Sequence, residues 1–184
     1  MIPLIITLAV VVIFVFLIAS IYNNLVKCKN RMEEAWSGID IFLKKRHDLI
    51  PALVETVKGY AAHEKQTLED VIRIRSQAVG AAGQDAQMES EAGLGRALGR
   101  LIVVAESYPE LKANANFMEL QRQLTELESE ISSSRRYFNG TVRENNIYVE
   151  RFPSNLIAGM FNFKKGKFFE VEKTEREVMK LSFT

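Results

Sequence analysis

The sequence predicts an all-α protein, with one N-terminal transmembrane helix followed by an antiparallel bundle of long helices. Three observations carry this. Residues 1–26 hold no charged side chain, although the chain has 24 basic and 23 acidic residues, so all 47 charges fall on the other 158 of its 184 positions. Two long windows then repeat apolar residues at steps of three and four, the period of one helix face. No segment of any length alternates with the period of two that a half-buried strand needs. Three segments result: an anchor over 1–26, a helical body over 27–160 and a Phe- and Lys-rich tail over 161–184.

In the anchor, Pro3, Thr7 and Ser20 alone interrupt an apolar run from Ile2 to Ile21. Twenty helical residues span about 30 Å, the thickness of the hydrocarbon core. Ile2, Leu4, Ile6, Val12, Phe16 and Ile21 mark the expected lipid-facing segment. A cleaved signal peptide fits poorly, because no basic residue precedes the run and no small-residue cleavage site follows it. Cys28 reads as a free juxtamembrane thiol. Lys27, Lys29 and Arg31 come directly after the span. By the positive-inside rule the N-terminus is outside, the body is cytoplasmic and the chain is a single-pass protein of the cell (inner) membrane.

The body opens with Met32, Trp36, Ile39, Leu43, Arg46, Ile50, Leu53, Val57, Tyr60 and Glu64 on one stripe. Leu68, Val71 and Ile74 continue it after a small phase slip. Pro51 lies inside this pattern. It removes one backbone hydrogen bond, and a kink is expected there. A Gly- and Ala-rich stretch follows, with residues 79–87 expected as a flexible turn. Leu94, Leu98, Leu101, Ile102 and Ala105 give a shorter helix. Phe117, Leu120, Leu124, Leu127, Ile131, Ser134, Phe138, Thr141, Asn145 and Tyr148 then define a helix of roughly 38 residues. Ser107 and Glu110 have capping-box spacing ahead of it. Three helices with short connections predict an antiparallel bundle. After Pro153, Leu156, Ile157, Met160 and Phe161 suit a short helix. Phe161, Phe163, Phe168 and Phe169 interleave with Lys164, Lys165 and Lys167. Such a tail fits either a cap on the bundle end or a membrane or partner surface.

Composition narrows the chemistry. A net charge of +1 argues against nucleic-acid binding, which needs a basic surface. One cysteine and two histidines leave no disulfide framework and little for a metal. His63-Glu64 opens like a zincin helix, but Thr67 stands where the second histidine is required. His47, among Lys44, Lys45, Arg46 and Asp48, reads as part of a solvated charged turn. Gly93, Gly95 and Gly99 have the wrong final spacing for a dinucleotide loop and read as helix-packing positions. Ser132, Ser133 and Ser134 have no histidine nearby in sequence. No catalytic, cofactor-binding or metal-binding residue is therefore assigned. Lys45, Arg46 and Asp48 on the first long helix, and Arg135, Arg136, Asn139 and Arg143 on the last, form polar strips able to meet an anion or a partner.

The blocks Ala35-Trp36-Ser37-Gly38-Ile39-Asp40, Lys45-Arg46-His47-Asp48-Leu49-Ile50-Pro51, Ala105-Glu106-Ser107-Tyr108-Pro109-Glu110-Leu111-Lys112-Ala113, Arg135-Arg136-Tyr137-Phe138-Asn139 and Phe152-Pro153-Ser154-Asn155-Leu156-Ile157-Ala158-Gly159 resemble the LemA family. The resemblance runs from about Tyr22 to Phe169. His47, Ala52 and Asn145 depart from its usual pattern. It implies a bacterial-type single-span membrane protein with a cytoplasmic helical bundle and no established enzymatic activity. Some of that family's members are associated with magnetosome membranes.

Residues and resemblance together predict a non-enzymatic membrane scaffold that self-assembles as a homo-oligomer. Trp36, Phe42, Arg46, Asp48, Arg135, Asn139, Arg143, Phe161, Phe163, Phe168 and Phe169 are its candidate interaction residues. The expected partners are the lipid bilayer, further copies of the chain and a membrane protein. The alternative is an adaptor or sensor that binds a membrane protease, a kinase or an envelope partner.

Overall fold

A computed structural model describes residues 2–169, and among them there is no strand. The helices are α1 (Ile2–Lys58), α2 (Lys65–Gly80), α3 (Gln84–Glu106), α4 (Pro109–Lys112), α5 (Ala115–Glu150) and α6 (Ser154–Met160). The fold is all-α, as the apolar periodicity predicts. Two compact units are present. One comprises the described residues through Ile39 together with Ser133–Phe168; the other comprises Asp40–Ser132 and Phe169.

Several boundaries differ from the expectation. Anchor and first body helix are one uninterrupted helix, α1, because no Gly-Pro or turn sequence separates residue 21 from residue 32. An 18-residue window of it has a mean hydropathy of 3.2, with none of its residues fully buried. Ile2, Leu4, Ile6, Val12 and Phe16 are exposed, and Ile21 is half-buried.

The first stripe does not run on to Ile74 in one helix. α1 stops at Lys58, where Gly59 follows and the backbone tightens: Tyr60 N–H donates to the Val57 carbonyl and Glu64 N–H to the Ala61 carbonyl. The phase slip in the sequence is thus a helix end. The turn expected over 79–87 shrinks to three residues, Ala81–Gly83. Gly83 has φ of 86°, a left-handed conformation that glycine adopts without strain. α3 is accordingly longer than predicted. The capping spacing at Ser107 and Glu110 does not form a capping box: Ser107 is the C-cap of α3, and the single turn α4 starts after Tyr108 with Pro109 at its first position and no side-chain cap bond. The N-cap of α5 is Asn114, whose Oδ1 accepts the Phe117 N–H at 3.0 Å, the third residue of the helix.

In the unit of Asp40–Ser132, the core is built from Ile50, Leu53 and Val57 of α1, Leu68 and Val71 of α2, Leu94, Leu98 and Leu101 of α3, and Phe117 and Leu124 of α5. In the other unit, α1 and α5 run antiparallel: Arg31 pairs with Glu144, and the Trp36 ring meets the Phe138 ring edge-on at 5.2 Å. Leu25 packs there with Ile157 and Ala158 of α6.

Candidate functional site

The unit of Asp40–Ser132 buries an ionic cluster. Arg46 lies on the apolar stripe of α1, and Glu91 lies one turn before Leu94 on the apolar stripe of α3, so helix periodicity carries both inward. Each is 1% exposed. Burying two opposite charges is tolerable only when each is paired and hydrogen-bonded. The two oxygens of Glu91 divide the task. Oε2 accepts from Arg46 Nη2, and Oε1 lies 2.7 Å from His47 Nε2. Arg46 Nη1 donates to Glu128 Oε1 of α5 at 2.7 Å. One guanidinium therefore ties α1 to α3 and α5. Burial alone raises the Glu91 carboxyl. The His47 hydrogen bond, the Arg46 charge, the His47 charge and the Arg46 hydrogen bond outweigh it and hold the group below its ordinary value.

A second bond explains how Pro51 is accommodated. In a helix the N–H of residue 51 would donate to the carbonyl of residue 47, and proline has no such N–H. α1 nonetheless continues to Lys58. The released His47 carbonyl accepts from Arg75 Nε of α2 at 2.7 Å. The helix is unbroken at Pro51, and a side chain from a neighbouring helix supplies the missing donor. Arg75→Ala leaves a half-buried carbonyl without that donor. It is expected to lower stability by about 1–3 kcal/mol, whereas in a Pro51→Ala background the loss falls to about half of that or less. Thermal unfolding of the two single variants and the double variant measures both.

The structure redistributes the sequence-based candidates. Arg46 and His47 were expected on a solvated charged face; both are buried, because Glu91 supplies a counter-charge from α3 that local sequence does not reveal. Arg46 is therefore not presented to another molecule, while Asp48 is exposed. Trp36, expected at an intersubunit contact, is buried against Phe138 within its own unit. Phe42 is half-buried, with Lys45 Nζ 5.5 Å from its ring centroid. On α5, Arg135 and Asn139 are half-buried and Arg143 is exposed. Phe161 and Phe168 are exposed, Phe163 is half-buried and Phe169 is buried; the tail beyond Phe169 lies outside the described residues. Glu91 was missed by sequence reasoning. Its signal was an acid on the apolar stripe that continues through Leu94, Leu98 and Leu101.

Chemically, the cluster is closed. Each Glu91 oxygen is engaged by a side chain of the fold and the carboxylate is buried from solvent, while Arg46 Nε is buried without a hydrogen-bond partner. Among the described residues, no three His, Cys, Asp or Glu side chains converge in a metal-binding group.

The LemA family profile matches residues 35–183. Magnetosome protein MamQ 2 of Paramagnetospirillum magneticum is 23% identical over 193 residues, covering 91% of this chain and 71% of that protein. Magnetosome protein MamQ of Magnetospirillum gryphiswaldense is 23% identical over 175 residues, covering 80% of this chain and 64% of that protein. Protein LemA of Metamycoplasma hominis is 24% identical over 165 residues, covering 89% of this chain and 75% of that protein. None of these names denotes an enzymatic activity. With the profile spanning the body helices from Ala35 onward, the chain belongs to the LemA family.

Proposed function

We propose that this chain is a non-enzymatic scaffold of the cell membrane that self-assembles through its helical body and organises the bilayer around it. The anchor is α1 up to Ile21, with the N-terminus outside and the remaining chain in the cytoplasm, as Lys27, Lys29 and Arg31 favour. One observation carries the reading. The side chains best suited to chemistry, Arg46, His47 and Glu91, are bonded to one another inside the fold and buried from solvent. Meanwhile Ile41 of α1 and Tyr137 and Ile147 of α5 stand exposed. Exposed apolar side chains on long helices are what a second copy would cover.

In mild detergent, the intact chain is expected at several times its 20.9 kDa after correction for bound detergent. Tyr137→Glu with Ile147→Glu should shift it toward a single copy without loss of helicity. A wild-type monomer would defeat the scaffold reading. Protease added outside intact cells should leave the body uncut; digestion would reverse the orientation.

An adaptor or sensor for a membrane protease, a kinase or an envelope protein is the second reading. It is favoured by an open groove of about 610 Å³ lined by Val54, Leu68 and Ile72 and rimmed by Lys58, Lys65 and Arg73. Such apolar floors with charged edges suit a partner helix. Recovery of one unrelated protein in equal amount with the chain would favour this reading over self-assembly.

A further inference from the structure

We propose that α6 and the turn on either side of it form a second membrane contact, an interfacial helix that lies in the headgroup layer beside the anchor. The proposal rests on residues 2–21 spanning the bilayer.

Position comes first. The inner side of α6, Ile157 and Ala158, packs with Leu25, and Ile18 and Ile21 border the same cluster. If the run from Ile2 to Ile21 fills the hydrocarbon, Ile21 sits at its edge. At 1.5 Å per residue, Ile18 is then about 4–5 Å inside that edge and Leu25 about 6 Å beyond it. The polar interfacial layer is itself about 5–7 Å thick on each side. α6 therefore sits across the hydrocarbon boundary and cannot be far out in the aqueous phase.

Its other face is apolar and uncovered. Leu156 is 58% exposed and Met160 is 76% exposed. Four residues apart, they lie one above the other on the same side of the helix. Phe152 before the helix and Phe161 after it are exposed as well. In water this face would be unfavourable. At the depth set by Ile18 and Leu25, acyl chains cover it.

The segment is held there from both ends. Ser154 Oγ donates to the Tyr148 carbonyl at 2.6 Å, closing the junction with α5. After α6, the Tyr22 ring takes Phe161 at 4.8 Å and Phe163 at 5.7 Å, both edge-on. Asn146 then clasps the backbone of Gly166, accepting its N–H at 2.8 Å and donating to its carbonyl at 3.0 Å. Gly166 lies close under the Met32 thioether, so a Cβ there would push the end of that side chain aside.

Charge agrees with a lipid occupant. Residues 22–34 and 143–168, which belong to the same unit as α6 and include it, hold eight basic and four acidic side chains. Among them Lys27, Lys29, Arg151 and Lys164 are exposed. An apolar face flanked by lysine and arginine is the pattern of helices that rest on anionic membranes.

The test uses the full chain in vesicles of phosphatidylcholine and phosphatidylglycerol. An environment-sensitive fluorophore is placed by Met160→Cys in a Cys28→Ser background. Val12→Cys and Ser37→Cys serve as references in the anchor and on α1 well beyond the boundary. Spin-labelled lipid with its nitroxide near the headgroup is expected to quench the Met160 label at least about two-fold more than the Ser37 label. Lipid labelled deep in the chain should quench Val12 most. Removing phosphatidylglycerol should weaken the Met160 response. A Met160 label quenched no more than Ser37, with Val12 still quenched, overturns the proposal. So does a blue-shifted Met160 label that lipid does not quench, which would mean a second copy covers the face. Loss of quenching at Val12 instead would overturn the anchor itself.

Discussion

Replacing Glu91 with alanine is expected to destabilise the protein by about 3–5 kcal/mol, one of the largest effects of any single substitution in the chain. The magnitude comes from what is left behind. Arg46 keeps Glu128, which is itself half-exposed, but loses its only fully buried counter-charge, and His47 loses its ring partner. A buried guanidinium facing an empty cavity is worse than no charge at all. Replacing all three residues together, Arg46→Met, His47→Leu and Glu91→Leu, is therefore expected to recover most of the loss. Thermal unfolding in detergent, followed by far-ultraviolet circular dichroism, measures both. A loss below about 1 kcal/mol for Glu91→Ala would show that the cluster does not hold the helices together.

Glu91 also has a pH signature. The folded-state Glu91 carboxyl is held below its ordinary value of 4.5. Its contribution to stability is therefore complete above that value. It shrinks as the pH falls from there to the lower, folded-state value, because over that range the unfolded chain takes up a proton that the folded chain does not, and it is gone once both are protonated. The stability gap between wild type and Glu91→Gln is expected to be widest at neutral pH and to narrow below 4.5.

Trp36→Ala is the second large effect, expected at about 3–5 kcal/mol. The indole is buried against Phe138, and its removal opens a cavity between α1 and α5 that backbone adjustment fills only in part. A double-mutant cycle with Phe138→Ala should return a coupling of about 0.5–1.5 kcal/mol for the edge-on pair. This outcome also separates two roles for Trp36. A residue at a subunit interface would change the mass of the assembly and leave the unfolding of each copy nearly untouched. A core residue does the reverse, and the burial of Trp36 places it in the second class.

Much of the fold was legible because helix periodicity is a local property. The stripe from Phe117 to Tyr148 lies wholly within α5, and the apolar run from Ile2 to Ile21 lies wholly within α1. What failed was non-local. Tyr60 and Glu64 keep the spacing of the first stripe, yet they belong to the turn after α1, because spacing alone does not register a helix end at Gly59. Arg46 was placed on the apolar stripe and also on a solvated strip, and the structure decides between them through Glu91, 45 residues away. An arginine on one apolar stripe and a glutamate on another are a legible pair once both are noticed. His47 offered no such signal, since its neighbours Lys44, Lys45 and Asp48 are all exposed and its partner is again Glu91. The tail stood between two readings, and its residues divide: Phe163 faces inward while Phe161 and Phe168 remain exposed.

The bond from Arg75 to the His47 carbonyl bears on how such a chain can change over generations. Proline at position 51 is harmless only while a donor 28 residues from the orphaned acceptor reaches back to it. Lose the arginine first and the helix carries an unmet carbonyl; lose the proline first and the arginine becomes dispensable. The order of substitution is thus asymmetric. A lineage can drift away from this arrangement easily through position 51 and only with difficulty through position 75. Entering it is the mirror image, with the arginine arriving before the proline.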